Sequence, residues 1–153
     1  RPATVCGFSP RMRLDVSVNM FAFQALKFQS MSVFGGDQVR PNIHIQDLIN
    51  VYKHFILNSD LPGGFYNAGF ENLKIIDIAK EVAKIIPSKI EIKEIGDDPR
   101  SYRQDSSKLL LTGFKKNFSV CDAIKEIKEK FEQRKFTESD RCYTVKWMKQ
   151  LNL

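Results

Sequence analysis

The residues best suited to chemistry lie in one stretch, Val33-Phe-Gly-Gly-Asp-Gln-Val-Arg-Pro-Asn-Ile-His-Ile-Gln-Asp47. Arg40 carries a guanidinium beside Pro41, which stiffens the chain. Gly35 and Gly36 let the backbone turn tightly or approach a ligand closely. A guanidinium grips a phosphate through two parallel hydrogen bonds. A strand, a flexible turn and a stiffly held arginine therefore read as an anion site. The same residues also read as a surface turn with a solvated arginine, and the stretch alone leaves both readings open. A second group, Gly96-Asp-Asp-Pro-Arg-Ser-Tyr-Arg103, carries two carboxylates and two guanidiniums. It is either a surface charge cluster or a second lobe of the same site. His44, between two isoleucines, reads as a structural histidine, and His54 as a helix-surface one. The chain has no Gly-x-Gly-x-x-Gly or Gly-x-x-x-x-Gly-Lys cradle, no nucleophile elbow, no His-Glu-x-x-His and no Tyr-x-x-x-Lys pair. It offers anion-binding groups without an evident acid, base, nucleophile or metal site.

These groups need elements to place them. Residues 1–6 read as a strand ended by Gly7, Ser9 and Pro10, and Arg11-Met-Arg13 as a small basic loop. Over residues 14–28 the apolar positions Val18, Phe21, Ala22, Ala25 and Leu26 recur at helical spacing, with Asn19 at a solvated polar position. Ser32 to Phe34 reads as a strand. Asp47 is placed to cap a helix over 48–57 that buries Leu48, Val51, Tyr52 and Phe55. Residues 58–64 read as a turn-rich loop and 65–69 as a short strand. Residues 75–86 read as an amphipathic helix closed by Pro87. Residues 89–95 alternate polar and apolar, so a strand with one buried face is expected. A short helix over 105–111 ends at Gly113. Ser119 and Asp122 form a capping-box pattern before a helix over 123–134. The tail, 143–151, reads as a helix with Val145, Met148 and Leu151 on one face and Trp147 beside it. The class is mixed α/β. The strands are short, and they read as additions to a sheet that lies elsewhere.

Composition narrows the options. The 153 residues are 42% apolar and 27% charged, which is ordinary for a globular domain. The net charge of +6 is spread out, so a pocket for a small anion explains it and a nucleic-acid role is not favoured. No apolar run approaches the roughly 20 residues that span a membrane, and the start lacks a secretory signal pattern. Cys6, Cys121 and Cys142 are odd in number and far apart, which fits a reducing cytoplasm. The opening Arg1-Pro-Ala-Thr-Val-Cys-Gly7 looks like the end of a strand, and the chain reads as the C-terminal piece of something larger.

Several segments, in order, support a family. They are Arg1-Pro-Ala-Thr-Val-Cys-Gly7, Asn19, Val33-Phe-Gly-Gly36, Arg40-Pro-Asn-Ile-His-Ile-Gln-Asp47, Tyr66-Asn-Ala-Gly69, Asp98-Pro-Arg-Ser-Tyr-Arg-Gln-Asp-Ser-Ser-Lys108 and Thr112-Gly-Phe114. Together they resemble the C-terminal half of extended short-chain dehydrogenases/reductases, the NAD-dependent nucleotide-sugar epimerases and dehydratases. The resemblance reaches to about Arg134. It implies the last part of a Rossmann-type core (residues 1–6) and a small α/β substrate-binding portion (to 134), followed by a helical tail (135–153). The first Rossmann half, with its glycine-rich NAD turn and catalytic Tyr-x-x-x-Lys, would be missing. By resemblance Asn19 and Arg40 meet the diphosphate and Ser32 to Phe34 run beside the base. Asp98 lies near the ribose, with Arg100 or Arg103 as the second basic contact. Pro2 and Thr4 approach the nicotinamide end of NAD. The implied partner is a nucleotide-diphosphate sugar, and the resemblance allows a homodimer of the complete enzyme. It also makes Asp47 a cap and His44 structural. Cys6, Asn42 and Ile95 depart from the family pattern, and Ile95 leaves the second phosphate contact open. The rival readings are a catalytically inactive fragment and a non-enzymatic binding module that uses the Trp147 tail.

Overall fold

The computed structural model describes residues 1–94 and 100–152. Two small sheets organise the described residues. β1 (Thr4–Cys6) runs parallel to β3 (Val39–His44), and β3 pairs antiparallel with β4 (Glu71–Lys74). β2 (Ser30–Phe34) and β5 (Lys89–Lys93) form a separate parallel pair, with Met31 opposite Ile90. Parallel neighbours need long crossovers, which helices fill. The helices are α1 (Ser17–Phe28), α2 (Ile45–Leu57), α3 (Ile75–Ile85), α4 (Ser107–Leu110), α5 (Val120–Glu132) and α6 (Thr144–Gln150). A 3-10 turn at Asp140–Cys142 precedes the last. The class is the mixed α/β read from the sequence, and both sheets are small.

The core forms where α1, α3 and α5 meet. Val18, Phe21, Ala22 and Ala25 of α1 are buried against Ile78, Ala79 and Val82 of α3 and Ala123, Ile124 and Ile127 of α5. Alanines at the contacts let the helices approach, while each fully buried Val, Ile or Phe contributes roughly 1.5–3 kcal/mol over leaving it in water. A smaller cluster of Ile43, Val51, Ala68, Leu109 and Phe114 ties α2 and α4 to β3.

Several helix starts differ from the periodicity. α1 begins at Ser17, because Leu14 is buried and its N–H donates to the Cys142 carbonyl at 2.8 Å, outside any helix. α2 begins at Ile45, and its cap is His44, whose Nδ1 accepts the Gln46 N–H at 3.1 Å. Asp47 is therefore not the cap. It sits fully buried in the first turn, accepting the backbone N–H of Asn117 (3.1 and 3.2 Å, one to each oxygen) and of Phe118 (3.0 Å). It is the pin that brings the approach to α5 against α2. α5 begins at Val120, and the capping box holds: Ser119 Oγ accepts the Asp122 N–H and Asp122 accepts the Ser119 N–H. α4 is shorter than expected, with the Asp105 carboxylate accepting the Ser107 N–H ahead of it.

Other differences lie in the strands and on α2. Residues 65–69 do not form a strand of their own; Ala68 makes an isolated parallel bridge to Pro2. The strand there is β4, which pairs with β3 from Glu71 onward. Gly69 permits the close approach, since a Cβ there would lie 2.5 Å from Ala3 Cβ. β5 lacks a clean buried face, because Ile90 is half-buried and Ile92 is exposed. On α2, Val51 is buried and Leu48 and Phe55 half-buried, but Tyr52 points to solvent. His54 is half-buried rather than on the surface, with Nε2 2.9 Å from Thr112 Oγ1 and its ring edge-on to Phe114. Asn19 is only 3% exposed and is not a solvated position.

Candidate functional site

A cleft of about 870 Å³ opens between the start of β1, residues 13–17 leading into α1, the end of β2, and residues 100–102. Each wall has a local cause. Residues 2–5 are held extended by the Ala3 N–H to Ala68 carbonyl (2.8 Å) and Ala68 N–H to Arg1 carbonyl (3.0 Å) bonds. In β2, the period of two buries Met31 and Val33 and turns Ser32 and Phe34 toward the cleft. The Ser32 N–H is tied to Gln24 Oε1 at 3.2 Å.

The basic wall is built on β3. Residues 100–102 lie along its start: the Val39 N–H donates to Ser101 Oγ (3.0 Å) and the Tyr102 N–H donates to the Val39 carbonyl (3.2 Å). Arg40 is oriented by this segment. Its Nη1 donates to the Val39 carbonyl (3.1 Å) and to the Arg100 carbonyl, and the guanidinium carbon lies 5.5 Å from the Tyr102 ring centre. A cation over an aromatic face is held partly by the ring quadrupole. Also lining the cleft, Arg13 Nε donates to Asp15 Oδ1 at 2.9 Å. Partial burial raises the Asp15 carboxyl, but the bond and charge of Arg13 outweigh it and hold the group below the ordinary aspartate range. Asp15 therefore stays anionic and fixes Arg13. Among the described residues the cleft walls carry three guanidiniums (Arg13, Arg40, Arg100) and one carboxylate, Asp15.

Of the residues expected to bind ligand or cofactor, Pro2, Thr4, Ser32, Phe34, Arg40 and Arg100 all line this one cleft. Arg103 does not line it, and Asp98 lies outside the described residues. Asn19 does not line it either: Oδ1 accepts the Gly7 N–H (3.0 Å) and Nδ2 donates to the Arg13 carbonyl (3.1 Å). Both ends of that amide are used inside the chain, to lock the turn after β1 against the turn before α1. Gly36 also has a packing role. Gly36 has φ of +122°, and a Cβ there would meet Ile76 Cβ at 3.1 Å. Reading the sequence missed Arg13, Asp15 and Tyr102. Their signals were an Arg-x-Asp pair just ahead of a helix and an aromatic two residues from Arg100.

Other reactive groups are quiet. Burial, followed by the charge of Glu71, pushes the Cys6 thiol up to about 12, so it is no thiolate nucleophile near neutral pH. His44 is buried, stacked on Phe118 with centroids 4.8 Å apart, and 3.5 Å from Glu126. Among the described residues no three of His, Cys, Asp and Glu are grouped to hold a metal ion, and no helix is long and apolar enough to cross a membrane. A dinucleotide cradle needs a glycine turn running from a strand into a helix, with N–H groups aimed at the phosphates. The residues capping the helices here are Val16, His44, Lys74, Ser106, Ser119 and Tyr143, none of them in such a turn. The described residues thus do not fit the phosphates of NAD.

No family model matches the chain. Its fold recurs in solved NAD-dependent nucleotide-sugar epimerases and dehydratases. An NAD-dependent NDP-hexosamine 5,6-dehydratase, TunA, of tunicamycin biosynthesis superposes with a TM-score of 0.73 at 21% identity, over 88% of this chain and 44% of that one. The UDP-glucose 4-epimerase of Thermotoga maritima, solved with UDP-glucose, gives 0.72 at 20% identity, over 89% and 46%. The UDP-glucuronic acid 4-epimerase of Bacillus cereus, solved with UDP-glucuronic acid and NAD, gives 0.71 at 23% identity, over 88% and 44%. The chain spans less than half the length of these structures. At this identity the likeness establishes a shared fold.

Proposed function

We propose that this chain is the nucleotide-sugar-binding portion of an NAD-dependent epimerase or dehydratase, with the cleft as its substrate site. The observation that carries the proposal is the convergence of six expected residues on one cleft whose described charges are mostly arginine. In this reading Arg40 and Arg100 take the diphosphate. Ser32 and Phe34 lie along the base, and Asp98 is proposed near the ribose. Pro2 and Thr4 form the wall nearest the reacting sugar carbon and the nicotinamide. Binding energy from the diphosphate, remote from the reacting carbon, holds the sugar in place. NAD would supply transient oxidation of that carbon. Since the described residues offer no cradle for its phosphates, this chain's own part is to bind and orient the substrate.

The test is Arg40→Ala, titrated calorimetrically with UDP-glucose and UDP-glucuronic acid. A hydrogen bond to a charged group contributes about 1.5–3 kcal/mol, so affinity should fall at least about tenfold. Loss of threefold or less would remove Arg40 from the site. A non-enzymatic binding module is a second reading, and the exposed α2 residues Ile49, Tyr52, Ile56 and Leu57 favour it. Concentration-dependent self-association without nucleotide-sugar binding would select that reading.

A further inference from the structure

The chain after α5 returns to the cleft by way of the loop that carries Arg13. Arg11 Nε donates to the Arg141 carbonyl (2.9 Å) and its Nη2 to Thr144 Oγ1 (3.2 Å). The Leu14 N–H donates to the Cys142 carbonyl (2.8 Å). The Val145 N–H donates to Asp15 Oδ2 (3.4 Å), on the carboxylate whose other oxygen holds Arg13. Four bonds thus join a five-residue loop to a tail more than a hundred positions away. Met12, Leu14 and Cys142 are all buried in the main core cluster, so the join is apolar beneath and polar above. The tail is also anchored on α1, since Lys27 Nζ donates to Glu138 at 2.5 Å and Phe136 meets the Phe23 ring edge-on at 5.8 Å. The loop lacks regular structure of its own from Arg11 to Val16, and the tail supplies partners that a helix or sheet would otherwise give it.

We propose that the C-terminal tail is a strap that orders residues 11–15 and so sets Arg13 as an anion contact of the nucleotide-sugar cleft. The ligand clause rests on the function proposed above; the strap rests on the bonds alone. Arg13 is the contacting group and Arg11 a positioning residue, because Arg11 reaches the tail and does not line the cleft. Arg13, held by Asp15, lines the same cleft as Arg40, so its guanidinium is able to meet a second phosphate or a carboxylate on the sugar.

Two variants test this, Arg11→Ala and a chain ending at Lys135, each beside the full chain. Amide hydrogen exchange at residues 12–16 should quicken about tenfold or more in both, since local opening follows the loss of local bonds. Affinity for UDP-glucose should fall about threefold or more in Arg11→Ala and further on truncation, with Arg13→Ala matching the truncation. Unchanged exchange at 12–16 would overturn the strap. Quickened exchange with UDP-glucose affinity unchanged would overturn the link to the cleft. If the truncated chain does not fold, Arg11→Ala, which alters an exposed side chain, decides. If the full chain binds neither UDP-glucose nor UDP-glucuronic acid, the proposed function and the ligand clause fail together, and the exchange result still decides the strap.

Discussion

Asp47 gives the sharpest prediction about stability, because two roles for it differ in what they tolerate. As a helix cap, it would be replaced almost freely by Asn, which caps as well as Asp. As a buried carboxylate receiving two backbone N–H groups from Asn117 and Phe118, it would not. An amide keeps one acceptor and turns its NH2 toward a second donor. Each hydrogen bond to a charged group contributes about 1.5–3 kcal/mol, so Asp47→Ala should cost about 3 kcal/mol or more and Asp47→Asn about half of that. With a urea dependence of about 1–3 kcal/mol per molar, the alanine variant's midpoint should fall by at least about 1 M. The assay is urea unfolding followed by far-UV circular dichroism at neutral pH, with the three chains side by side. An asparagine variant within about 0.5 kcal/mol of the parent, at the scale of an ordinary surface change, would refute the bridging argument.

Three other outcomes follow from residues described above. Ser119→Ala should cost about 1 kcal/mol by removing the α5 cap. The bond from the Ser119 side chain holds the Asp122 carboxyl low, so its contribution is present at neutral pH and is lost as pH falls below about 4. The gap between parent and variant should therefore narrow in urea titrations near pH 3, and a constant gap would contradict the bond from Ser119 Oγ to the Asp122 carboxylate. Among the thiols, Cys121 is half-buried while Cys6 and Cys142 are buried, so iodoacetamide on the folded chain should reach Cys121 first; mass mapping that finds Cys6 first would contradict its burial. Gly69→Ala should cost about 1–3 kcal/mol, because the new Cβ would collide with Ala3. An unchanged melting temperature would place the Pro2–Ala68 bridge wrongly.

Much of the fold was legible because helices announce themselves locally. The α3 stripe and the Ser119–Asp122 box need only spacing to be read. β4 was not legible: Glu-Asn-Leu-Lys has no alternation and few strand formers, and its extended form comes from pairing with β3. Asn19 failed for a related reason. A polar residue in an apolar helix reads as solvated unless its partners are known, and Gly7 and Arg13 become neighbours only once the chain folds back. For the cleft, six residues named through the family resemblance line it while Asn19 and Arg103 do not, and Arg13 was not anticipated, since a basic loop carries no sign of what it will face. Tyr52 shows the limit of spacing alone, because helical periodicity marks a face and not how far a neighbour covers it.

The parallel pairings also set the order in which the molecule can assemble. Positions 4 and 42 must meet to start one sheet, and positions 30 and 89 to start the other. Closing such distant loops loses chain entropy before any contact compensates it, whereas α3 and α5 can form within their own sequence. On this argument the helices are expected to form before the strands pair. Since β1, β2 and β3 all border the cleft, its walls depend on these long-range pairings. A ligand of the cleft would deepen the native minimum while leaving the climb to it unchanged.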